Sequence, residues 1–245
     1  MATKRTLTAR PPHHHKGNGP SEKLGVFLRD IVFGANDGIV TTFAVVAGAS
    51  GAHLSSSVVI ILGFANLVAD GLSMGLGEYL GSKSERAFFR GEELREQWEV
   101  RHYPKEEERA IQKIFRSWGF RGERLSRSIE VLKKHPKAWV DIMLSHELGI
   151  VESAKNRPAQ SGVVMFFSFV IAGLVPVLPY LFGATDGFAA AIFLSACTLF
   201  VVGALRSKFI SQTWWRAGAE MLFIGAIASG AAYAVGVLLS NIASS

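Results

Sequence analysis

Apolar residues in this chain gather into five long runs, and the stretches between them hold nearly all of the charge. A helix needs about 20 apolar residues to cross a bilayer. Residues 31–52, 57–79, 162–182, 188–205 and 218–239 reach or approach that length, although 188–205 is short and 31–52 contains an acid. The pattern predicts five membrane-spanning helices.

Between the second and third runs lies a long polar segment with its own periodicity. Helix-forming composition covers 84–101. Pro104 breaks the chain there, because proline lacks an amide donor and clashes with the preceding turn. Further helices follow at 105–117 and 123–134, separated by Gly119 and Gly122. After Pro136, residues 137–151 read as an amphipathic helix with Trp139, Ile142, Met143 and Ile150 as its apolar positions. A helix of that kind suits the face of a membrane. The expected architecture is an all-α integral membrane protein. Residues 1–23 form a disordered tail and 24–82 the first two spans. Residues 83–157 form a small helical domain, and 158–245 the last three spans.

Basic residues orient the spans. The N-terminal tail, the segment 83–157 and the link holding Arg206, Lys208 and Arg216 are rich in Lys and Arg. The links near 53–56 and 184–187 and the C-terminal tail have none. This alternation places the N-terminus and the helical domain in the cytoplasm and the C-terminus on the far side. The tails carry no evident sorting signal, so a bacterial inner membrane is expected, or a vacuolar one in a eukaryote.

Composition narrows the classes. Of 245 residues, 49% are hydrophobic and only 19% charged, with a net charge of +6. The positive balance falls in loops on one side of a membrane, which removes the case for a nucleic-acid partner. Cys197 is the single cysteine, so no intramolecular disulfide forms. The N-terminal residues lack the apolar core and small-residue site of a cleaved signal. The His13, His14 and His15 run sits in a Pro/Gly-rich tail and reads as disordered chain rather than a metal site. Gly34 and Gly38, Gly71 and Gly75, and Gly77 and Gly81 stand four apart, a spacing that lets helix backbones approach closely.

Charges within a bilayer are costly, and where they occur they mark function. Asp37 lies in the first span beside Asn36. In the second, Asn66, Asp70, Met74 and Glu78 follow at steps of four and line one stripe. The bland alternatives are packing for Met74, a span end for Glu78 and a helix-to-helix hydrogen bond for Asn66; Asp37 and Asp70 resist such readings. Carboxylates with a thioether suit Fe(II), with Mn(II) or Co(II) next, better than Mg(II) or Ca(II). A buried carboxylate also carries protons.

Outside the spans, Glu85, Glu92, Glu96 and Glu99 share one helix face, where like charges repel unless a cation or a base such as Arg86, Arg95 or Arg101 compensates. Glu106, Glu107 and Glu108 open the next helix, a placement the helix dipole already explains. Met143 and Glu147 stand four apart with His146 beside them, a set of donors suited to a transition metal.

Several runs resemble a known family: RDIVFGANDG at 29–38, LSMGLGEYL at 72–80 followed by KSE at 83–85, PKAWVDIM at 136–143 with ELG at 147–149, GLVPVLPY at 173–180 and GAIAS at 225–229. They are similar to the vacuolar iron transporter family of plant and yeast importers and bacterial relatives. The resemblance runs in order over about residues 24–240. It implies a homodimer of five-span subunits with the ion path between them, exchanging cytosolic Fe(II) for protons. It also implies path roles for Asp37 and Met74. Metal-gathering roles fall to Glu96, Glu99, Glu107, Met143 and Glu147. The chain departs from the pattern at Asn66, where plant members have a glutamate that Asp70 replaces one turn on. It departs again at Ala110, with Glu106 or Glu108 as substitute, and at Leu144, beside His146.

The expectation is a proton-coupled Fe2+ carrier, able to take Mn2+, with no enzymatic activity and no prosthetic group. The competing reading is a membrane-anchored metal sensor or buffer, which has no need of intramembrane acids. A di-iron oxidase requires paired Glu-x-x-His motifs that His102, His135 and His146 do not supply.

Overall fold

A computed structural model describes residues 20–147, 149, 157–207 and 212–243. The His13–His15 run, most of the 1–23 tail, Ile150 and Lys208 lie outside the described residues. All regular structure within them is helical: α1 (Pro20–Gly51), α2 (Ser56–His102), α3 (Pro104–Ser117), α4 (Gly122–Lys133), α5 (Pro136–His146), α6 (Pro158–Gly173), α7 (Leu178–Leu181), α8 (Gly187–Arg206) and α9 (Trp214–Ala243). Five stretches are long and apolar enough to cross a membrane, which makes this a multi-pass membrane protein.

The expected separate helix at 84–101 is the continuation of the second span. α2 runs unbroken for 47 residues. At 1.5 Å per residue that is about 70 Å, more than twice the hydrocarbon thickness. No proline lies between Ser56 and Pro104, so nothing stops the helix when its composition turns polar near Lys83. Its second half therefore stands clear of the bilayer and supports the inserted domain.

That domain closes on its own apolar core. Ile111 and Phe115 of α3, Leu125, Ile129 and Leu132 of α4, and Trp139 and Met143 of α5 form one cluster, with Val100 of α2 packed against it. Pro104 opens α3 at a position where its missing amide costs nothing. The expectation that α5 lies on the membrane face does not hold. Trp139, Val140, Met143 and Leu144 are all buried, and α5 packs on α2, so its apolar face is consumed inside the protein.

Among the spans, α1 is central and packs most extensively on α6 and α9. Gly38 fits directly against the Phe169 backbone of α6. A Cβ on Gly75 would lie 2.9 Å from the Gly162 carbonyl, so α2 and α6 also touch backbone to backbone. Gly77 and Gly81 differ: a Cβ on either would meet nothing within 4 Å. The third span is α6 continued through a 3-10 turn, Val175–Val177, into α7. Pro176 and Pro179 account for that tightening, since neither donates to a helical ladder. Asp186 caps α8, its side chain accepting from the Ala189 amide at 3.2 Å.

Candidate functional site

Two groups of side chains carry chemistry, both supported by α2. In the membrane part, Asn66, Asp70, Met74 and Glu78 are all half-buried along one side of the helix. α1 brings Asp37, also half-buried, within electrostatic reach of Asp70. Asn66 Nδ2 donates to Thr42 Oγ1 of α1 at 3.4 Å, and Glu78 Oε1 accepts from Ser82 Oγ at 2.8 Å. The stripe borders an exposed row of small residues, Ala65, Ala69, Ser73, Gly77 and Gly81. The acids thus sit at the edge of the helix bundle rather than at its centre.

Beyond the membrane, Glu96 and Glu99 of α2 meet Glu107 of α3, each offering an oxygen within 4.8 Å of the others. Glu96 is only 3% exposed. Burial raises the Glu96 carboxyl to about 8; the Glu107 charge, a hydrogen bond to Glu107, and the Glu99 and Glu147 charges push the same way. Burial raises Glu107 as well; the hydrogen bond from Glu96 opposes this, and Glu147, Glu99 and Glu106 add to it. Glu96 Oε1 and Glu107 Oε2 are enclosed and have no hydrogen-bond partner among the described residues. Buried carboxylates this close must share a proton or a cation.

The remaining candidates occupy different places. Glu92 is engaged by Arg95 at 2.7 Å, and the same guanidinium lies 3.6 Å from Glu99, so part of the expected compensation is basic. Glu106 and Glu147 are exposed beside the cluster. Glu108 pairs with Lys133 at 2.8 Å and is thereby occupied. Met143 is packed in the domain core. His146 is exposed, its ring edge-on to Trp118 with centroids 4.8 Å apart.

Comparison with known proteins gives this arrangement a family. The model of the VIT family matches residues 28–237. Vacuolar iron transporter 1 of Arabidopsis thaliana is 36% identical over 219 residues, covering 89% of this chain and 88% of its own length. The vacuolar iron transporter of Toxoplasma gondii is 37% identical over 224 residues, covering 87% of this chain and 74% of its own. That of Plasmodium falciparum is 34% identical over 269 residues, with 98% of both chains covered. The chain belongs to the VIT family.

In this VIT-family chain one acid escaped the sequence pattern. Asp30 of α1 is fully buried, yet it adjoins Arg29 and reads as part of the basic N-terminal segment. Its spacing from Asp37 is the signal that reveals it, since seven residues are two helical turns and place both acids on one face. The grouping of Glu107 with Glu96 was signalled by the family resemblance and not by spacing, because it depends on α3 folding back along α2.

Proposed function

We propose that this protein moves Fe2+, and Mn2+ as a second cargo, out of the cytosol in exchange for protons, through a path between two copies of the chain. The observation that carries the reading is the pair Asp37 and Asp70, two acids on different helices within electrostatic reach inside the apolar part of the fold. Acids held in a water-poor interior demand a cation or a proton. Met74, one turn beyond Asp70, adds a soft donor that favours Fe(II) over Mg(II) or Ca(II). The relatives named as vacuolar iron transporters support the same cargo.

Two further features support the assembly and direction. The row Ala65, Ala69, Ser73, Gly77 and Gly81 is exposed beside the acids, and small residues at this spacing suit a close helix crossing with a second copy. Such a crossing completes the wall of the path. The basic residues of the inserted domain support a cytoplasmic position for it, where Glu96, Glu99 and Glu107 collect the ion before translocation. Glu147 and Glu106, exposed beside them, Glu92, Met143 and His146 form the surround of that collecting site.

The test is metal flux in proteoliposomes carrying a pH gradient. Wild type is expected to move Fe2+ with counterflow of protons, and Asp37→Ala and Asp70→Asn to abolish both. Wild-type rates in the two variants would overturn the path.

A further inference from the structure

On the opposite side of α2 from the acids lies an apolar groove of about 320 Å³. Leu72, Leu76 and Tyr79 form one wall and Ala159, Val163 and Phe166 of α6 the other. Its floor is the contact between Gly75 and Gly162, where the two backbones meet. Leu76 and Val163 stand 59% and 55% exposed. Both walls belong to apolar spans, so the surrounding medium is lipid rather than water.

The end of the groove nearest the inserted domain is charged. Tyr79 lines the groove, and Lys83 Nζ lies 5.5 Å from the centroid of its ring. That contact holds the ammonium at the groove mouth instead of leaving it free in solvent. Because α6 runs antiparallel to α2, its first residues rise on the same side as Lys83. Arg157 is exposed there, one hydrogen bond of its guanidinium going to Gln160 at 3.3 Å. Of the nearby acids of α2, Glu85 is two residues on from Lys83 and so on the other side of the helix, and Glu78 belongs to the other stripe and accepts from Ser82. An acyl-sized apolar slot whose lining residues Tyr79 and Ala159 stand four and two positions from Lys83 and Arg157 has the chemistry of a lipid with a negative head.

We propose that this groove is a binding site for one anionic phospholipid. An acyl chain lies between α2 and α6, and the phosphate is met by Lys83 with Arg157 as the second cation. Basic positions at the ends of crevices between spans recognise acidic headgroups in this way. The lipid would lock α2 against α6 on the side away from the ion path, and the site is independent of the transported ion.

Native mass spectrometry of the full chain in mild detergent tests the site, with phosphatidylglycerol and phosphatidylcholine of matched acyl chains as probes. Wild type is expected to retain phosphatidylglycerol in preference, at one per chain. Lys83→Glu should reduce that preference roughly fivefold or more, the worth of one cation at a membrane surface. Ala159→Trp and Val163→Trp add bulk from exposed residues of the α6 wall, away from the row of α2 that meets a second copy, and should cut retention of both lipids at unchanged thermal stability. Equal retention of the two lipids by wild type would overturn the proposal. So would wild-type retention in the tryptophan variants. Dissociation of an oligomer by those variants would assign the groove to a second copy of the chain and equally end the lipid reading.

Discussion

Glu96 of α2 and Glu107 of α3 are joined by a carboxyl-to-carboxylate hydrogen bond, formed where α3 folds back along α2. Each has one enclosed oxygen with no partner among the described residues. The pair holds a proton at neutral pH, and a divalent ion taking its place must displace that proton.

Metal binding at this cluster is therefore pH-dependent. With Glu96 raised to about 8 by burial and by Glu107, affinity for Fe2+ or Mn2+ rises as pH increases towards that value and levels off above it. Titration calorimetry in buffers of different ionisation enthalpy should show proton release on binding near pH 7. Glu96→Gln should lose that release along with most of the affinity.

The metal-free domain follows the reverse trend. Both carboxyls titrate higher folded than unfolded, so the folded state binds more protons between the two values. Their contribution to stability is fully present below the ordinary carboxylate range and is lost as pH rises towards about 8. Thermal unfolding of the chelator-treated protein should move to lower temperature across that window, and saturating Mn2+ should reverse the shift.

Met74 controls preference among ions rather than the existence of the path. Met74→Leu keeps the volume and removes the soft donor. Fe2+ flux should fall several-fold while Mn2+ flux changes less, read as a ratio in the same proteoliposomes.

Glycines of α2 and α6 divide by what surrounds them. Gly162→Ala forces a Cβ to within 2.5 Å of the Gly75 carbonyl and should destabilise by about 1–3 kcal/mol. Gly91→Ala, on a helical stretch where a Cβ meets nothing within 4 Å, should stabilise by about 0.5–1 kcal/mol. Thermal unfolding in detergent measures both.

Ile111 is fully buried at the centre of the inserted domain. Ile111→Ala should cost about 2–5 kcal/mol. Hydrogen exchange should report the loss in α3, α4 and α5 and leave the spans protected.

The five spans, the helical insert and the stripe of Asn66, Asp70, Met74 and Glu78 were legible in the sequence. Each follows from a period or a run length along one stretch of chain. Hydrophobic length sets a span whatever its neighbours are, and a step of four puts residues on one helix face in any fold. The sequence misjudged α5, because an apolar stripe looks the same whether it meets lipid or a protein core. Trp139 and Met143 were apolar positions in either case, and only the packing of α5 on α2 and α3 showed which surface covered them. The continuity of α2 past Lys83 was open to the sequence, since no proline lies before Pro104, and the change of composition there marked only a change of surroundings. The joining of Glu96 to Glu107, the approach of Asp37 to Asp70 and the groove between Gly75 and Gly162 all lie between helices. Sequence spacing states which residues share a face. It does not state which faces meet, because that depends on how close backbones come, and here paired glycines set the approach of α2 to α6.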